Sequence, residues 1–148
     1  MTTYYHNILD KLADAVDGVI NAFAGSALTG VTVFKGASMT ALTAPRIEIL
    51  CEAEAEQIGA TITGNYNAAV RVRVIANQAD STRAALSGYV AAVGDALFRD
   101  DFPAQVENLS PAITNFTMDE WWPRRVAESI DGGEFIVEFE CAAHCWPS

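Results

Sequence analysis

Cys141-x-x-His144-Cys145 is the densest set of metal-competent side chains in the sequence. A structural zinc ion needs a full tetrahedral set of ligands, and Cys51 is the one further thiol in the chain. The triplet is therefore read as the end of a strand with a buried thiol and a loose tail, and no metal is expected. Nucleophilic catalysis would require a Ser or Cys beside a His that an acid orients. The two histidines, His6 and His144, stand near opposite ends of the chain. No nucleophile elbow and no Gly-rich phosphate loop is present. Carboxylates are plentiful, but they fall in strand rows, and nothing separates two of them as acid and base. The residue chemistry points to neither an enzyme nor a cofactor.

Two other groups of side chains bear on binding. Trp121, Trp122, Arg124 and Arg125 form the densest aromatic and basic patch. Trp and Arg dominate interface hot spots, so an interface anchor is one reading. One Trp in the core with the other over an Arg stem is an equal reading, and an oligonucleotide stacking platform is a weaker third. The second group comprises Glu48, Glu52, Glu54, Glu138 and Glu140 with Arg71 and Arg73. Opposite charges on paired strands contribute roughly 0.2–1 kcal/mol each, which is a sheet-stabilising role; Arg71 and Arg73 are also interface candidates, answering glutamates on a neighbouring subunit. The glutamates outnumber the arginines and so leave an acidic surface.

Those side chains must be positioned by a short list of elements. Ile8, Leu12, Val16, Val19 and Phe23 recur at three- and four-residue steps, predicting a helix over residues 3–24 that covers a sheet, with Gly25 as its stop. Tyr4, Tyr5 and His6 at its start are candidates for contact with a neighbouring subunit. Val31–Phe34 reads as a short strand, and Ala37–Ala44 as a loop able to order on assembly. From Pro45 the run RIEILCEAEAEQ alternates, with Ile47, Ile49, Cys51, Ala53 and Ala55 on one face and Glu48, Leu50, Glu52, Glu54 and Glu56 on the other. Residues 58–63 make a loop or hairpin tip. A second alternating strand, Tyr66–Ala76, puts Val70, Val72, Val74 and Ala76 inward and Arg71, Arg73 and Ile75 outward. Asp80 or Ser81 caps the next helix, whose stripe is Leu86, Tyr89, Val90, Val93 and Leu97. Its glycines, Gly88 and Gly94, each cost about 1 kcal/mol against Ala, and close packing would explain them.

Beyond Arg99-Asp-Asp-Phe-Pro, the state of residues 104–111 is left open by the sequence. Strand character returns from Ile113, and Pro123 is expected to break the ladder. Arg124–Ile130 then reads as a second short strand and Asp131-Gly-Gly as a turn. In the last strand Phe135, Val137, Phe139 and Cys141 face inward. The three runs together predict an antiparallel meander in a single domain, 1–148.

Bulk properties agree with a packed domain that does not seek nucleic acid. Of the 148 residues 51% are hydrophobic, and 9 basic against 19 acidic side chains leave a net charge of −10. Phosphate binding wants clustered Lys and Arg, whereas this balance repels DNA passing nearby. The first twenty residues lack a basic region and carry interrupting acids, so no signal peptide is expected. No run approaches the roughly 20 apolar residues of a membrane span. Three cysteines without paired spacing fit a reducing compartment.

The order helix, short strand, two long strands, helix and terminal meander extends over nearly the whole chain. With Asn65-Tyr66-x-Ala68-x-Val70-x-Val72-x-Val74 leading into a capped helix, it resembles the tail terminator, or tail completion, proteins of long-tailed bacteriophages. The resemblance implies an α+β fold, with two main helices packed on a mixed, mainly antiparallel sheet. It implies a structural virion protein without catalytic residues, assembled in the bacterial host cytoplasm. Six copies would form a ring that caps the tail tube, stops its growth and joins the tail protein to the head-tail connector. DNA would pass through the bore, which an acidic row (Glu48, Glu52 and Glu54, or Glu138 and Glu140) would line. A head-side connector or neck protein, or a protein-binding module outside any virus, are the alternatives.

Overall fold

The computed structural model describes residues 2–35, 45–59, 61–77, 83–109 and 116–147. Helix α1 (Thr2–Ala24) ends in a short 3-10 turn, followed by β1 (Thr32–Lys35), β2 (Arg46–Ile58) and β3 (Thr61–Asn77). Helices α2 (Arg83–Leu97) and α3 (Phe102–Glu107) precede the hairpin β4 (Phe116–Asp131) and β5 (Glu134–Pro147). The five strands form one sheet in the order β1-β2-β3-β5-β4. β1 runs parallel to β2, and every other pairing is antiparallel. The fold is thus α+β with a mixed, mainly antiparallel sheet, as the sequence predicted.

The period-two patterns place two different surfaces on this sheet. On one face Ile47, Ile49, Val70, Val72, Val74, Val137 and Phe139 are buried together with Leu12, Val16 and Val19 of α1 and Val93 and Leu97 of α2. The helices lie on that face only, because each carries one apolar stripe and the opposite sheet face is charged. Gly94 of α2 sits over the Phe139 ring, where a Cβ would lie 3.6 Å from the ring carbons. Gly88 has nothing within 4 Å of a built Cβ. Close packing within the chain therefore accounts for Gly94 and not for Gly88. Phe23, expected in the α1 stripe, is 38% exposed at the end of the helix, and the Arg99 guanidinium lies 3.6 Å above its ring.

Two strand boundaries and one inward position differ from expectation. The meander is a two-stranded hairpin: β4 runs through Pro123 and absorbs it in a bulge between Pro123 and Arg125. An edge strand tolerates this, since the missing N–H of proline need not serve a ladder there. The Gly132-Gly133 turn, both at positive φ (57° and 78°), lets the hairpin close. The C-terminal segment is not a loose tail, because β5 stays paired with β3 as far as Cys145 and with β4 as far as Pro147. Ala55, expected inward, is exposed beside a second irregularity between Ala55 and Gln57. Residues 102–107, whose state the sequence left open in part, form α3. The loop Ala37–Ala44, the capping residues Asp80 and Ser81, and the side chains of Tyr4, Tyr5 and His6 lie outside the described residues.

Candidate functional site

The sheet face opposite the helices gathers nearly all the polar residues singled out in the sequence. Register decides this: Glu48 stands opposite Arg73, Leu50 opposite Arg71, and Arg71 and Arg73 in turn opposite Glu140 and Glu138. Arg73 Nε donates to Glu138 Oε1 at 2.7 Å, and its guanidinium lies 3.8 Å from Glu48. Arg71 donates to Glu52 at 2.9 Å. Both expected cross-strand arginine–glutamate pairings are present.

A further arginine completes the network. Arg46 Nε donates to Glu48 at 3.0 Å, and its two terminal nitrogens grip both oxygens of Glu134, 88 residues away. The Glu134 hydrogen bond outweighs burial and raises the already high Arg46 pKa. The Arg46 and Glu48 side chains keep only 9% and 5% of their exposure. Glu48 is thus a structural carboxylate inside a network and does not belong to an exposed acidic row. Ile75, facing Arg46 on one side and Ile136 on the other in register, is 2% exposed on this same face.

At the other end of the face, His144 ties three strands. Its Nδ1 lies 2.6 Å from Asp119 of β4 and its Nε2 lies 2.7 Å from Glu56 of β2. Both acids sit where their strands slip register, between Met118 and Glu120 and between Ala55 and Gln57. A bulge redirects a side chain, and these two converge on one imidazole. Carboxylates on both ring nitrogens require both to carry protons. Burial opposes that charge, but the hydrogen bonds to Asp119 and Glu56 outweigh it, and the pKa lies above the ordinary histidine value.

The Cys141-x-x-His144-Cys145 triplet is split by the pleat. Cys141 and Cys145 are buried on the helix-covered face, and burial pushes both thiols up to about 12. Cys51 is likewise raised by burial to about 12. His144 points to the opposite face, so the three never converge.

The Trp-Arg patch divides in the same way. Trp121 is buried, donates its indole N–H to the Leu97 carbonyl at 2.7 Å and stacks on Phe102 with ring centroids 4.0 Å apart. It closes the end of α2 against α3 and offers no accessible anchor. Trp122 is 66% exposed, and Arg124 and Arg125 are exposed beside it. A shallow concavity of about 700 Å³ is bounded by Glu52, Glu54, Asn67, Trp122, Arg124 and His144 together with Leu9 of α1 and Cys51.

Alternation alone flagged Arg71, Arg73 and the glutamates. The Arg46–Glu134 and His144 contacts had no such signal, because they depend on which strands become neighbours and where bulges fall.

No protein-family model and no curated protein matches the sequence. Among solved structures, a chain of a particle described as the virion of a native gene transfer agent shares the fold, with a TM-score of 0.64. The alignment covers 90% of this chain and 93% of that one, at 19% sequence identity. No described helix is long and apolar enough to cross a membrane.

Proposed function

We propose that the chain is a structural protein of a phage-like virion, and specifically that it caps the tail tube as a tail terminator. The observation carrying this reading is the near end-to-end fold likeness to a chain of a gene transfer agent virion. A net charge of −10 supports it, since a conduit for DNA must repel rather than hold phosphates. In this reading six copies form a ring between the tail tube protein and the head-tail connector, without cofactor and without catalysis. Glu52, Glu54, Glu138 and Glu140 are the candidates for the bore, with Glu48 removed because it is buried in the Arg46 network. Trp122, Arg124 and Arg125 are the candidates for contact between proteins, with Trp121 held in the core beneath them. Assembly takes place in the host cytoplasm and the finished protein stays in the virion tail.

Particles assembled without the protein test the proposal. A terminator's loss leaves tails of uncontrolled, excessive length seen by electron microscopy, and adding the purified protein to tubes restores a fixed length. Tails of normal length that fail to join heads would instead favour a head-side neck protein.

A further inference from the structure

His144 reaches across the sheet in both directions. From β5 it meets Asp119 on the neighbouring strand β4 and, beyond β3, Glu56 on β2. Asp119 and Glu56 are the residues their ladders skip, since register passes from Met118 to Glu120 and from Ala55 to Gln57. A bulge leaves its extra residue unpaired in the ladder and turns its side chain. Here both extra residues turn onto one imidazole, at 2.6 and 2.7 Å.

That hold needs two protons. An ionised carboxylate only accepts, and a neutral imidazole has a single N–H. With both ring nitrogens protonated, each carboxylate receives a donor. With one proton gone, a ring lone pair faces a carboxylate, and that contact must open or admit water. The two contacts are unequal. Asp119 keeps 34% of its side-chain exposure against 24% for Glu56. Among the described residues β4 pairs with β5 alone, whereas β2 continues past Glu56 in its pairing with β3 as far as Ile58. Asp119 is therefore the contact that gives way.

The surroundings favour the doubly protonated ring. Glu120 of β4 and Glu54 of β2 share its register row, with Asn67 of β3 between them. Glu52, one row further, is engaged with Arg71. Arg124 borders the same concavity and is the cation that opposes them. Trp146 of β5 stands edge-on to the ring with centroids 6.4 Å apart. Burial works against the charge, but the hydrogen bonds to Asp119 and Glu56 outweigh it.

We infer that His144 is a proton-operated clamp on the edge of the sheet. Doubly protonated, it pins the start of β4, residues 116–119, against β5 and β2. Loss of its Nδ1 proton frees Asp119 and loosens that segment, while Nε2–H keeps Glu56. Trp122 follows three residues after Asp119 on the same strand, so the clamp also steadies the exposed Trp122. The device is independent of the tail reading, because it belongs to the folded chain in any assembly.

NMR of the full chain, labelled with 15N and 13C, tests it. His6 and His144 are the two histidines of the chain, so each ring is followed separately. At pH 6 His144 should carry protons on both nitrogens, and it should titrate above the ordinary value of about 6.5. Amide exchange at residues 117–120, corrected for its intrinsic rise with pH, should accelerate across that midpoint, and exchange at Val72 should not. Asp119→Asn keeps an oxygen acceptor for Nδ1–H but removes the charge, and should lower the His144 midpoint by about one pH unit. Glu56→Gln gives the same reading from the other nitrogen, and a native spectrum shows that each variant is folded. The clamp is overturned by His144 titrating at or below 6.5, by a midpoint unchanged in both variants, or by exchange at residues 117–120 that ignores the midpoint.

Discussion

The two faces of one sheet are held by different forces. The covered face is closed by apolar packing: Val70, Val72 and Val74 lie under α1 and α2 with 0% exposure each. The opposite face is held by charge, with Arg46, Glu48, Arg73 and Glu138 interlocked. Burial of apolar area is non-directional and supplies most of the stability. An ion network contributes less net energy, because desolvation offsets attraction. It holds side chains in fixed positions, which is what a docking surface needs.

Substitutions on each side measure that difference. Trp121→Ala should have the largest effect, a loss of about 3–5 kcal/mol in chemical denaturation, since it opens a cavity and leaves the Leu97 carbonyl bare. Arg46→Ala should follow at about 3 kcal/mol, because it takes the nearer cation from the buried Glu48 carboxylate and leaves Arg73 at 3.8 Å. Replacing Arg46, Glu48 and Glu134 together by Met, Leu and Leu should recover most of that loss. If the triple variant stays as unstable as Arg46→Ala, the network is worth more than its desolvation allows, and the contrast between the faces weakens.

His144 gives the opposite face a pH dependence that the covered face lacks. Its folded pKa is raised, so its stabilisation is complete below the unfolded value of about 6.5 and fades as pH rises through the folded value. His144→Gln should therefore destabilise by about 1 kcal/mol near pH 6, discounted for partial exposure, and by clearly less near pH 9. Urea titrations at the two pH values decide it, and an equal loss at both would remove the charged imidazole from the account.

The smallest effects separate folding from assembly. Gly88→Ala, in open space on α2, should stabilise the chain by about 0.5–1 kcal/mol in thermal denaturation. A loss instead would mean that the position is crowded. Trp122→Ala should change stability by no more than about 0.5 kcal/mol while weakening self-association in sedimentation experiments. The reverse pattern would return Trp122 to a folding role.

Much of the fold was legible because side-chain period maps onto local backbone geometry. The inward rows of β3 and β5 and the stripe of α2 are set by alternation and three- to four-residue steps, and the structure places them as read. Pro123 was misleading, since its effect depends on whether the strand is an edge, a property of the whole sheet. Trp121 and Trp122 are chemically alike and adjacent. The pleat separates them, and α3 buries the one that faces it.

By itself, then, the sequence determined the α+β order, the opposed valine and charge rows, and a net charge of −10. Tertiary structure alone decided that Glu48 is buried while Glu52 and Glu54 are exposed. It also decided that Arg46 reaches Glu134, and that Glu56 and Asp119 meet at His144. Local periodicity fixes which face a side chain takes. Only the order and register of distant strands fix what waits for it there.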